Sequence, residues 1–134
     1  MLKEMFAEIG EGCYIESPFH ANWGGKHCHF GKMVYANFNL TCVDDTHIYV
    51  GDYTMIGPNV TIASAGHPIQ PELRQKGYQY NMPVKIGKNC WIGAGEKYDK
   101  EKETTNNRKH FISYSNLLLR ICTKSSRGFV PLGQ

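Results

Sequence analysis

The strongest constraint in this chain is a hexad. "VGDYTM" opens at Val50, "IGPNVT" at Ile56 and "IASAGH" at Ile62, and the pattern returns in "IGKNCW" at Ile86 and "IGAG" at Ile92. Each copy starts with Val or Ile, has Gly or Ala second, and favours a small or β-branched residue near its fifth position. "FGKMVY" from Phe30 and a weaker "IGEGCY" from Ile9 precede them. A beat of six is neither the period of two of a simple half-buried strand nor the 3.6 of a helix. It predicts a parallel β-helix, in which one hexad makes one flat face and three faces close a coil of about 18 residues. The first residue of each hexad points inward and stacks on its equivalents above and below, and the Gly after it is expected to tolerate the corner backbone. A single coil buries nothing, so stacking makes the core. The expected fold is therefore all-β, a left-handed parallel β-helix. Hexapeptide coils wind left-handed, against the right-handed rule for crossovers.

The beat stops at "TIASAGHPIQ", residues Thr61–Gln70. Residues at about 68–83 read as an excursion from the solenoid, and long loops of this kind are often functional. Glu72, Arg74 and Tyr80 are its candidates for contact with a partner or substrate, or for a solvated face. His67 falls at the break, between Gly66, which permits unusual backbone, and Pro68, which stiffens the exit. Imidazole is the side chain best matched to taking a proton near neutral pH. A single histidine is equally at home as a structural residue; its place at the break is what singles it out.

Composition narrows the rest. At 134 residues, 41% hydrophobic and 20% charged, the chain has the size and make-up of one globular domain. The net charge of +3 is unevenly spread: residues 96–134 carry eight Lys/Arg against four Asp/Glu. The body has no basic stripe, so nucleic acid is not an expected partner. No apolar run approaches a membrane span and the N-terminus has no signal-peptide core, so no membrane association and a cytoplasmic location are expected. The five cysteines lack C-x-x-C spacing and are expected as reduced, buried small hydrophobes. After Gly95 the hexads end. Residues 1–95 are expected to form the β-helix, and 96–134 a non-repeat tail that is disordered or caps the last coil.

"HANWGGKHCHFGKMVYANFNLTCVDD", "GDYTMIGPNVTIASAGHPI" and "PVKIGKNCWIGAG" resemble the maltose and galactoside O-acetyltransferases, hexapeptide-repeat acyltransferases that use acetyl-CoA. The resemblance runs from about Met1 to Gly95. Members of that family begin with a helical segment, of which "LKEMFAEIG" matches only the end. They continue past "WIGAG" with further hexads and a motif resembling "GAGSVVTKDIP", which has no counterpart here. The chain thus reads as a member shortened at both ends, its tail a truncated or frameshifted product.

The resemblance implies a transfer of acetyl from acetyl-CoA to a hydroxyl of a sugar or related acceptor. The transfer is direct, in a ternary complex, within a homotrimer whose sites lie between subunits. By the "GHP" match His67 is the general base. By the "YANFNLTCVDD" match Asn37 supports the transition state and contacts ligand, and Asp45 binds acceptor hydroxyls. Asn22 and Trp23 fall near the acceptor, and Trp91 and Ala94 near the CoA arm. An amide N–H suits a developing oxyanion, and a carboxylate accepts sugar hydroxyls. The other reading is an inactive structural remnant of the family, lacking a complete CoA site. His27, His29, His47 and His67 could be imagined as a histidine set for a metal, but no spacing here resembles a zinc site and no metal is expected.

Overall fold

The computed structural model describes residues 2–99. A short helix α1 (Leu2–Met5) leads into fourteen short strands: β1 (Glu8–Ile9), β2 (Tyr14–Ile15), β3 (Phe19–Ala21), β4 (Cys28–Phe30), β5 (Tyr35–Ala36), β6 (Leu40–Val43), β7 (Ile48–Val50), β8 (Met55–Ile56), β9 (Thr61–Ala63), β10 (Ala65–Gly66), β11 (Tyr80–Asn81), β12 (Val84–Ile86), β13 (Trp91–Ile92) and β14 (Lys97–Asp99). A second helix, α2 (Pro71–Gln75), lies between β10 and β11. Three parallel ladders make the faces of a prism. They are β1-β4-β7-β12, β2-β5-β8-β13 and β3-β6-β9-β14, and the chain visits them in that cyclic order. The expected left-handed parallel β-helix is the fold, and four tiers of it are described.

The core follows from the hexads. Phe30, Val50, Ile56, Ile62 and Ile92, the opening residues of their hexads, are all buried in one cluster. Val60 and Thr54, near the fifth positions, are fully buried as well. Inside a coil the repeat therefore supplies two inward side chains per face. The Thr54 hydroxyl offsets its burial by donating to the Gly87 carbonyl one coil away, at 2.9 Å.

Two expectations are corrected by the structure. Coils are not 18 residues long. Cys28 lies against Ile48, twenty residues on, and Ile9 against Phe30, twenty-one on. The surplus sits at the edge between the third and first faces, where "NWGGKH" and "DDTH" bulge out. The 36 residues from Val50 to Ile86 are one enlarged coil, since these two residues are direct neighbours in the first ladder. The hexad glycines also serve another purpose. The positive-φ corners belong to Met33, Asn39, Tyr53, Asn59 and Asn89, at 53–59°. The φ of Gly51 is ordinary; a Cβ there would lie 2.6 Å from the carbonyl carbon of Gly87. Close approach of stacked backbones, not corner geometry, requires the small residue.

Cys28 and Cys42 are free and fully buried, as expected, whereas Cys13 is free but only half-buried. A neighbouring Cys28 thiol, hydrogen bonded to it, and then burial hold the Cys42 thiol well above its ordinary pKa. Cys90 is buried, and Cys122 lies outside the described residues. The third ladder runs through β14, so strand pairing extends past Gly95. The remainder of the expected tail lies outside the described residues.

Candidate functional site

The excursion is a built hairpin-like arm. It leaves at β10, turns through α2, and returns as β11, whose Tyr80 and Asn81 pair antiparallel with Gly66 and Ala65. A Cβ on Gly66 would meet the Tyr80 hydroxyl at 2.5 Å, so the tip of that ring would have to shift to admit one. The base of the arm is pinned from inside. The buried Ser64 hydroxyl donates to the Val43 carbonyl at 2.8 Å and receives the Thr46 N–H at 2.9 Å. Arg74 is spent within the arm, donating to the carbonyls of Pro68 (3.0 Å) and Ile69.

This frame fixes the orientation of His67. Its Nδ1 lies 3.0 Å from the Tyr78 carbonyl on the returning limb. A carbonyl only accepts, so Nδ1 carries the hydrogen, and in the neutral ring Nε2 presents a lone pair. The ring is exposed, and Nε2 has no protein partner among the described residues.

Asp45, Asn22 and Trp23 converge on the same edge of the prism. The Trp23 indole N–H donates to Asp45 Oδ1 at 2.8 Å, and Asn22 Nδ2 lies 3.4 Å from the same oxygen. Trp23 is exposed, and that bond ties its indole to Asp45. The backbone anchor is Asp44, a fully buried carboxylate that accepts the N–H groups of Trp23 (2.8 Å) and Gly25 (3.1 Å). Gln79, from the returning arm, donates to Asp45 Oδ2 at 3.3 Å. Asp44, Tyr78 and Gln79 escaped the sequence reading. Asp44 sits inside the "VDD" motif, but nothing in the sequence tells which of the two aspartates turns inward. A main-chain carbonyl leaves no signal in a sequence at all.

Asn37, Trp91 and Ala94 lie elsewhere. Asn37 opens the corner between β5 and β6, where the second face meets the third, and Ala94 occupies the same edge two coils on. Trp91 stands exposed on the second face. Asp45 and His67 follow the far ends of β6 and β9, one face away. The four residues of β6 alone separate the two edges by roughly 13 Å at about 3.3 Å per residue. A single chain therefore does not bring Asn37 to His67. Asn37 Oδ1 accepts the Phe38 N–H at 2.8 Å, and its Nδ2 has no protein partner among the described residues.

The second face carries exposed apolar side chains. Its outward ladder is Tyr14, Tyr35, Met55 and Trp91, with the two tyrosines stacked at 6.2 Å and 7°. Tyr14, Met55 and Trp91 are each more than half exposed. On the first face His29 stacks on Tyr49 at 4.4 Å, and its Nε2 meets His47 Nδ1 at 2.9 Å. Among the described residues no three His, Cys, Asp or Glu side chains converge as a metal site, and no helix is long and apolar enough to cross a membrane.

The relatives of this chain share the same coil. Over 95 residues it is 61% identical to a galactoside O-acetyltransferase of Lactococcus lactis, a match covering 71% of this chain and 46% of that protein. It superposes on a galactoside acetyltransferase solved in complex with coenzyme A with a TM-score of 0.61 and 31% identity, covering 85% of this chain and 76% of that one. The chain belongs to the maltose/galactoside O-acetyltransferase family. A maltose O-acetyltransferase of Clostridium difficile is a further structural neighbour of this family member, with a TM-score of 0.66 and 38% identity over 70% of this chain and 50% of the other. No family model matches the sequence. The chain spans about half the length of the curated relatives it matches.

Proposed function

We propose that this family member transfers the acetyl group of acetyl-CoA to a hydroxyl of a sugar acceptor, with His67 as general base. The observation that carries the proposal is the fixed tautomer of His67. The Tyr78 carbonyl holds Nδ1–H, which aims a lone pair on Nε2 outward beside the Asp45–Trp23 wall. A sugar hydroxyl is a poor nucleophile until its proton is withdrawn in the transition state, and an oriented imidazole supplies typically about 10²–10⁴-fold for that step. Asp45 accepts from the acceptor's hydroxyls, and the Trp23 face stacks on the ring. As His67 takes the proton, the hydroxyl oxygen attacks the thioester carbonyl directly within a ternary complex; the C–S bond then breaks, and the departing CoA sulfur takes the proton back from the imidazolium.

The oxyanion partner comes from a second copy of the chain. Asn37 has an amide Nδ2 without a protein partner among the described residues but lies one face away from His67, so a complete site needs the base edge of one protomer against the Asn37 edge of the next. A homotrimer closes that arrangement with three equal sites. The exposed Tyr14–Met55–Trp91 ladder and the bare apolar residues of the arm, Ile69, Leu73, Tyr78 and Met82, supply surface for such contacts.

The edge beside Trp91 fits the arm of acetyl-CoA. A Cβ added at Gly95 would meet nothing within 4 Å, and Ala94 is exposed, so an extended chain can lie against the backbone there. Trp91 and Ala94 would hold the group, which brings the activated acetyl. The work is placed in the cytoplasm, where acetyl-CoA is made available.

The test has two parts. The chain is expected to bind acetyl-CoA with micromolar affinity in calorimetry and to sediment as three chains of 15.2 kDa. In acetyl transfer to a galactoside, His67→Ala is expected to lower kcat by about 10²–10⁴-fold. No binding at millimolar acetyl-CoA, or a fully active His67→Ala, overturns the proposal.

A further inference from the structure

Gln79 is the one side chain of the arm that reaches the acceptor wall. Its Nε2 lies 3.3 Å from Asp45 Oδ2 and 2.9 Å from Asn81 Oδ1. The carboxylate oxygen only accepts, so the Gln79 amide orientation is fixed: a flip would set Oε1 against Asp45 Oδ2. Both hydrogens of the NH2 group are thereby used. Oε1, on the same amide carbon as the nitrogen that bonds Asp45, has no protein partner among the described residues.

Asp45 is in the complementary condition. A carboxylate offers about four lone-pair sites. Trp23 and Asn22 occupy Oδ1, and Gln79 takes one site on Oδ2. One site remains on Oδ2, next to the open Oε1. The frame around the pair is stiff, because Asn81 is held in the β10–β11 ladder and the residue before Gln79 carries the carbonyl that orients His67.

From this we infer that Gln79 is a specificity-determining residue for the acceptor: Gln79 Oε1 and Asp45 Oδ2 together accept hydrogen bonds from two adjacent hydroxyls of the acceptor ring. Neighbouring hydroxyls on a pyranose sit about a hydrogen-bond length apart, which matches two acceptors carried on one bonded pair of side chains. A ligand with a single hydroxyl at that place leaves one of the two oxygens unanswered. This rests on the acceptor site proposed above.

The experiment reads binding rather than turnover. The indole Nε1–H resonance of Trp23 is followed by NMR in the full chain, distinguished from that of Trp91 with Trp91→Phe. The probes are methyl β-galactoside and its deoxy analogues, each lacking one hydroxyl of an adjacent pair. In the wild-type chain the galactoside is expected to shift the Trp23 resonance, and at least one deoxy analogue to bind more weakly. Gln79→Ala is expected to leave the sugar-free resonance in place, weaken galactoside about 3- to 10-fold, and abolish the discrimination against that analogue. Asn81→Ala, which keeps the Asp45 contact but frees one amide hydrogen, is expected to lose less. Equal affinity and equal discrimination in Gln79→Ala overturn the inference while leaving the acceptor site standing. A sugar-free Trp23 resonance displaced by Gln79→Ala also overturns it, since the residue then only orders the wall. A wild-type resonance unmoved by saturating galactoside overturns the acceptor site itself, and the inference with it.

Discussion

Replacing Gly51 with Ala isolates the reason for glycine at the second position of the hexad. The added Cβ would lie 2.6 Å from the Gly87 carbonyl carbon and 2.7 Å from both the Gly87 oxygen and the Lys88 nitrogen. Ordinary contact begins about 0.8 Å farther out, and all three atoms are backbone of a coil held by the Gly51 N–H to Ile86 carbonyl bond of 2.9 Å. The coil cannot yield without stretching that ladder, so the cost belongs with severe overpacking, about 2–3 kcal/mol. Gly77→Ala is the control. Its φ of +76° disfavours a side chain, but the Cβ would meet nothing within 4 Å. The strain of a left-handed residue is about 1–2 kcal/mol, partly offset by the entropy an alanine removes from the unfolded chain. Urea unfolding followed by circular dichroism measures both variants at matched m-values. Gly51→Ala is expected to be the more destabilised by about 1 kcal/mol, the gap between the centres of those two costs. If Gly51→Ala falls within about 0.5 kcal/mol of wild type, the surface-substitution range, the close-approach argument is wrong.

Further expectations follow from particular contacts. Lys88, whose ammonium donates to Asp52 at 2.7 Å, and then the Lys32 backbone N–H hold the Asp52 carboxyl below its usual value. A depressed folded pKa gives stability that is present above the unfolded value near 3.9 and lost as the pH falls through the folded one, so Asp52→Asn should flatten the acid limb of a stability–pH profile below about pH 4. Cys28 and Cys42 should resist iodoacetamide at pH 8 until the chain is unfolded, as mass spectrometry of labelled peptides would record; labelling at the rate of a free thiol would contradict the raised Cys42 pKa. Ile56→Ala, which opens a hole in the middle coils, should cost about 2–5 kcal/mol in the same urea assay. Asp44→Ala leaves the Trp23 and Gly25 N–H groups without their acceptor and should displace the Trp23 indole resonance while leaving that of Trp91 in place.

The hexads made the prism legible because burial in a solenoid repeats: the same inward slot recurs in every tier, so Val50, Ile56, Ile62 and Ile92 announce themselves by spacing. Coil length is not legible in the sequence for a related reason. Spacing reports phase but not pairing, and only the register shows that Ile86 lies directly on Val50. The glycines were located correctly and explained wrongly. A sequence marks where a side chain is forbidden without saying whether torsion or a neighbour forbids it.

The candidate site divides along the same line. Local sequence determined that a histidine stands at the break, between a glycine and a proline, and that the arm leaves beside it. It also carried the likeness that singles out Asn37, Asp45 and Trp91. Tertiary structure alone decided that Asp44 turns in while Asp45 turns out, that a main-chain carbonyl of Tyr78 fixes the imidazole tautomer, and that Gln79 reaches Asp45 across 34 positions of chain. It decided, too, that Asn37 and His67 stand on different edges of one protomer. Hexad periodicity is a property of neighbours in sequence, whereas each of these depends on which coil lies on which. That is set by how the oversized edge turns and the arm are absorbed in stacking.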